Sequence, residues 1–184
     1  MNKIVTIVLV VLVLFFARAT VFAKSVSSLG AGDYVVDGSF AAASGPGDFN
    51  SGYGINFGAG YILTTIDKNL QGRIDLSYYS FSRDYLGNGL SYWRLPITVS
   101  ARYYFPIIDR LSAFAQVGLE TSWDSYDYVD AYGKHSKAQF NLGVSPGGGI
   151  EFFVDRNVSI FGIVRTHLIT DSYVSMQLGA AVHF

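Results

Sequence analysis

Few residues in this chain could do chemistry, and their spacing argues against most reactions. None of the 184 residues is a cysteine, which excludes a thiol nucleophile, a disulfide and a thiolate metal site. The three histidines, His135, His167 and His183, are scattered and share no metal-ligand spacing. His135 sits beside Ser136 in a polar stretch that reads as solvated loop, not as half of a nucleophile–base pair. Gly147-Gly148-Gly149 lacks the strand–loop–helix setting and the Lys-Ser/Thr of a phosphate loop. No catalytic residue, metal or cofactor is therefore expected. Two groups of residues remain. Asp37, Arg73, Asp75, Arg94, Arg102, Glu120, Glu151 and Arg165 are four acids and four bases that cancel. Trp123, Tyr126, Tyr128 and Tyr132 lie in or beside the acidic stretch 124–136, and Tyr and Trp are favoured contact residues.

The elements that must position these groups follow from composition and period. Apolar residues make up 50% and charged residues 15%, with 14 Phe, 13 Tyr and 20 Gly, which opposes disorder and suits strands. A formal net charge of -1 leaves no basic excess for nucleic-acid phosphates. Lys3 precedes an apolar run, Ile4 to Phe16, broken only by Thr6. That run is shorter than the roughly 20 residues a spanning helix needs. It reads as a secretory signal, cleaved after Ala23 in preference to Ala19. The mature chain then has a short periplasmic segment, 24–32, followed by a barrel domain, 33–184.

Period-two alternation runs through that domain. In residues 53–61, Tyr53, Ile55, Phe57, Ala59 and Tyr61 alternate with Gly54, Asn56, Gly58 and Gly60. Eight such segments are predicted, at about 33–42, 52–62, 71–81, 91–105, 111–123, 137–153, 158–167 and 173–184. Their apolar faces carry no charge, whereas the eight charged residues named above all fall on the opposite faces. Those faces are rich in Gly, Ser and Asn, whereas a soluble surface is usually studded with Lys and Glu. The pattern fits an all-β, eight-stranded antiparallel up-and-down transmembrane barrel with lipid on its apolar side. Connections 43–51, 82–90 and 124–136 are long, which places them outside the cell and both termini in the periplasm. Asp109-Arg110 and Asp155-Arg156-Asn157 are expected as periplasmic turns. Two features oppose regular strands: Pro96, and the kink or break expected at Pro146-Gly147-Gly148-Gly149.

The C-terminal run Met176-Gln177-Leu178-Gly179-Ala180-Ala181-Val182-His183-Phe184, with the eight alternating segments, resembles the small outer-membrane barrels of the OmpA/OmpX-type superfamily of Gram-negative bacteria. The resemblance implies an outer-membrane location and contact with outer-membrane lipids and lipopolysaccharide. It also implies help from periplasmic chaperones and from barrel-assembly machinery that reads Phe184 as a terminal aromatic signal. The expected product is a monomer. An eight-stranded barrel is barely wide enough for its own side chains, so the eight charges are expected as a lumen network that plugs it. A structural or surface-interaction role follows, with residues 124–136 as the candidate recognition loop for an external ligand. Two other readings stay open: a narrow gated pore and a lipid-modifying enzyme. The outer-membrane deacylases resemble a His-x-Ser arrangement on a late strand, but here Ile169 stands where the serine would follow His167.

Overall fold

The computed structural model describes residues 34–46, 49–85, 88–130 and 133–184, with side chains described outside 83–90 and 128–134. The leader, residues 24–32 and Tyr132 lie outside the described residues. Eight strands follow one another: β1 (Tyr34–Ala43), β2 (Gly52–Ile62), β3 (Leu70–Tyr85), β4 (Asn88–Ile108), β5 (Leu111–Asp130), β6 (Gly133–Phe153), β7 (Val158–His167) and β8 (Tyr173–His183). Each pairs antiparallel with the next, and β8 returns to β1 to close a barrel. The closing seam runs from Val35↔His183 to Ala43↔Ser175 and is extended by paired backbone bonds between Tyr34 and Phe184.

Alternation decides the faces because successive side chains on a strand point to opposite sides. Phe40, Phe57, Leu119, Leu142 and Leu178 stand exposed on the outside. Asp37, Arg73, Asp75, Arg94, Arg102, Glu120, Glu151 and Arg165 are buried inside. The 11 residues of β8, tilted by about 45°, cover about 25 Å, the height of an outer-membrane apolar band. Aromatic rings mark both margins of that band. Tyr34 and Tyr61 (4.8 Å between centroids) and Tyr103 and Phe105 (5.0 Å) lie at the rim that carries the termini. Tyr78 and Trp93 (6.5 Å) lie toward the far rim, with Trp123 and Phe140 exposed nearby.

The structure corrects two expectations. First, 82–90 and 124–136 are not loops. β3 and β4 continue to Tyr85↔Asn88, and β5 and β6 continue to Asp130↔Gly133. These four strands have 16 to 21 residues, whereas β1, β2, β7 and β8 have 10 or 11, so one side of the barrel rises as a wall above the other. Second, β6 is continuous through Pro146-Gly149. Val144 exchanges both backbone bonds with Leu168, so even-numbered residues of β6 turn their N–H toward β7. The donor missing at Pro146 therefore belongs to that seam. The β6–β7 ladder skips Pro146 while the β5–β6 register runs past it unbroken. Pro96 lies within β4, where the alternation places it. Its effect is local to the β3 seam, where pairing passes from Leu76↔Ile97 directly to Tyr79↔Arg94.

Candidate functional site: a layered lumen

The interior is stacked in layers between the two rims. At the rim with the termini, Val35, Ile62, Tyr104, Phe114, Phe153, Phe161, Ile163 and Ala181 form an apolar cluster. Gly149 opens the space that the Phe114 ring occupies, since a Cβ there would run into that ring and into the Gly162 carbonyl. Phe161 and Ile163, which blur the alternation of β7 in the sequence, are inward members of this cluster. Among them Ser159 donates to Glu151 Oε1 (2.5 Å), which lies 3.1 Å from His183 Nε2.

Above lies the charged belt. Arg73 Nη2 donates to Asp37 Oδ2 (2.6 Å) and Asp75 Oδ1 (2.8 Å), and Arg165 Nη2 reaches Asp75 Oδ2 (3.3 Å). Arg102 donates to Gln116 Oε1 from Nε and Nη2 (3.1 and 3.0 Å), lies 4.1 Å over the Phe114 ring, and is 3.9 Å from Glu151 Oε2. Burial of charge is costly unless it is paired, and each guanidinium here faces a carboxylate or an amide oxygen.

The next layer holds a chain that sequence spacing misses. His167 Nδ1 donates to Glu120 Oε2 (2.7 Å), which leaves Nε2 to accept from the Ser175 hydroxyl (2.9 Å). The serine comes from the neighbouring strand, where His167 pairs with Tyr173 and Arg165 with Ser175. A search for His-x-Ser along one strand cannot find it. An acid, an imidazole and a hydroxyl in this order can move a proton from serine to histidine. All three residues are fully enclosed, and the Tyr173 ring stacks on His167 at 4.1 Å. Among the described residues, the Ser175 hydroxyl is closed off from solvent.

Toward the far rim, Arg94 clamps Asp124 through Nε and Nη2 (2.9 and 2.7 Å). The same carboxylate accepts from Tyr92 (3.0 Å) and Asn141 (2.7 Å). Arg94 Nη2 also donates to the Thr170 carbonyl (2.9 Å), which ties the β7–β8 turn over the mouth. Tyr79, Phe81, Tyr92, Tyr173, Ala41, Ala43 and Ile169 close this end, with Phe49 and Tyr126 packed against them. Asp124 is thus a fifth lumen carboxylate. It continues the inward parity of Ser112, Gln116, Glu120 and Ser122, the one sequence signal that identifies it.

Of the aromatic residues read as a recognition loop, Trp123, Tyr126 and Tyr128 lie in strand β5, and Tyr132 lies outside the described residues. Trp123 is exposed on the outer face of β5 within the aromatic margin. Tyr126 faces inward, stacks on Tyr92 at 4.4 Å and donates to Asp171 (3.1 Å). Tyr128 is a strand residue of β5. Among the described residues no group of acids and histidines is placed to hold a metal ion.

The fold recurs in solved outer-membrane proteins at low identity. Neisserial surface protein A is 18% identical, with a TM-score of 0.62 over 84% of this chain and 99% of that one. OprG from Pseudomonas aeruginosa is 11% identical, with a TM-score of 0.63 over 84% and 96%. Ail, the attachment invasion locus protein of Yersinia pestis, is 15% identical, with a TM-score of 0.58 over 84% and 99%. No curated protein matches the chain in sequence. The sequence pattern of the outer membrane protein beta-barrel domain spans residues 7–184, and with the closed eight-stranded barrel and its apolar exterior it makes this chain a member of that family of Gram-negative outer-membrane proteins.

Proposed function

We propose that this protein is a non-enzymatic surface-interaction barrel, in which a plugged β-cylinder holds the β3–β6 wall upright outside the cell. One observation carries the reading: among the described residues the lumen side chains are buried between apolar clusters at both rims, while the four longest strands project past them. In this reading the signal is removed after Ala23, the termini lie in the periplasm, and the monomeric barrel reaches the membrane through chaperones and the assembly machinery. Arg94, Asp124, Arg73, Asp37, Asp75 and Arg165 serve as struts. The test is to shorten both hairpin tips, residues 83–90 and 128–135, to tight turns and measure surface binding of whole cells. Binding should fall while the barrel still inserts. Unchanged binding would reject the reading.

A pore is the second reading. It is favoured by buried polar atoms without protein partners, including Arg165 Nε and Nη1, Arg73 Nε and Glu120 Oε1, which are suited to internal water. Planar-bilayer recording separates the two: the plug reading expects no resolved conductance steps. A lipid-modifying enzyme would act through Ser175. Labelling by a fluorophosphonate in intact membranes would establish that alternative, and none is expected because the hydroxyl is enclosed.

A further inference from the structure

At the rim that carries the termini, an apolar patch continues past the aromatic margin. β4 passes that margin at Tyr103 and Phe105, and its register with β5 then shifts by one residue between Pro106 and Ile108. The shift is a bulge, and it decides a face. Alternation counted from the inward Tyr104 would turn Ile108 into the lumen. With one extra residue in β4, Ile107 and Ile108 both stand outside, 55% and 64% exposed. Phe152 pairs with Leu111, which pairs with Ile108, so the exposed Phe152 ring belongs to the same patch. Interfacial rings ordinarily close a lipid face. Here the apolar surface extends beyond them, and such a surface marks a binding site.

The charges beside the patch define what would cover it. An open hollow of about 540 Å³ is lined by Ile108, Phe152, Asp109 and Arg110. A second, of about 270 Å³, shares Asp109 and Arg110 and adds Phe153, Asp155 and Arg156. The Phe153 N–H donates to the Arg110 carbonyl (2.8 Å), which holds the β4–β5 turn against the end of β6. Asp155 accepts from the Arg156 N–H (2.7 Å), which fixes the β6–β7 turn. Arg110 and Arg156 are exposed, and a guanidinium fork matches phosphate oxygens. Two carboxylates beside two guanidiniums leave the site neutral. That balance disfavours an anionic headgroup and suits one that carries a phosphate and a hydrogen-bonding ammonium together. The β2–β3 turn of the same rim differs: Asp67 accepts from Tyr103 and from the Asn69 N–H, and its neighbour is Lys68. We propose that the β4–β5 and β6–β7 turns form a seat for one phospholipid with a phosphoethanolamine headgroup. Arg110 and Arg156 take its phosphate, Asp109 and Asp155 take its ammonium, and its acyl chains lie along Ile107, Ile108 and Phe152. The seat is at the opposite end of the barrel from the wall and does not depend on the surface-interaction reading.

The test titrates the refolded protein in detergent with phosphatidylethanolamine, phosphatidylglycerol or phosphatidylcholine of identical acyl chains. Native mass spectrometry counts the bound lipid. Phosphatidylglycerol has no ammonium, and the methylated ammonium of phosphatidylcholine has no hydrogen to donate. The first phosphatidylethanolamine should bind at least roughly tenfold tighter than either comparator. Arg110→Gln combined with Arg156→Gln should lose at least roughly tenfold. Asp109→Asn combined with Asp155→Asn should transfer the preference to phosphatidylglycerol, because the site is then basic. Lys68→Gln, on the same rim, should leave binding unchanged. Unheated gel mobility shows that each variant is still a closed barrel. Equal binding of the three lipids, wild-type affinity in the arginine double variant, or an equal loss in Lys68→Gln would each overturn the proposal. So would a soluble peptidoglycan stem peptide that binds through Arg110 and Arg156 more tightly than phosphatidylethanolamine, since the turns would then serve the cell wall and not the lipid.

Discussion

Arg94 and Asp124 show how much depends on single residues in this lumen. Each is fully buried, and Asp124 accepts from Arg94, Tyr92 and Asn141. Asp124→Asn strands a guanidinium in the interior, at a cost of about 3–5 kcal/mol. Replacing both residues by leucine should cost much less, because no charge is left behind. Urea unfolding from lipid vesicles, followed by Trp fluorescence, measures both. A double variant as unstable as the single one would show that the pair stabilises through more than mutual neutralisation. At this scale the sequence is only partly legible. Parity alone reaches Asp124, but its neighbours Asp127 and Asp130 and the tyrosines around it look like an exposed loop. Ser175 is invisible for another reason: its partner His167 lies across a seam, and lateral register is not written in either strand alone.

At the scale of the strand, the period of two is what can be read reliably. Leu76 is exposed outside, and its neighbour Ser77 is enclosed and donates to Asn56 (2.6 Å). Leu76→Arg should cost about 2–4 kcal/mol near the midplane of the bilayer. Ser77→Arg instead meets a filled interior. Cysteines placed singly at these positions offer a direct comparison: a lipid-soluble maleimide should label position 76 much faster than 77, and equal rates would reject the face assignment. Strand height is harder to read. The alternation of β5 past Trp123 is carried by Asp, Ser and Tyr, residues that also make loops, so the upper wall is concealed by its own polarity. Pro146 misleads in the opposite direction. A proline breaks a strand only where its N–H is needed, and which seam needs it depends on the pairing.

For the molecule as a whole, the closing seam matters most. Phe184 exchanges backbone bonds with Tyr34 and leaves its ring exposed at the margin of the band. Interfaces favour such rings, and an unclosed edge in lipid leaves groups that cost several kcal/mol each. Deleting Phe184 should lower insertion in cells but leave refolding into detergent nearly normal, whereas replacement by Tyr or Trp should be almost silent. Phe40→Asp should impair both, because it puts a charge on the lipid face. Wild-type insertion of the deletion would refute the assembly-signal reading.

The charged belt has a further consequence for how long a molecule lasts. Among the described residues the lumen holds four arginines and five carboxylates. Opening the barrel inside the bilayer would turn them toward hydrocarbon, where a single charged side chain costs about 2.5–3.5 kcal/mol even by the mildest scales. Once closed, the barrel should open only slowly in place. We therefore expect cleavage of the projecting wall to leave the closed cylinder in the membrane, without its surface role.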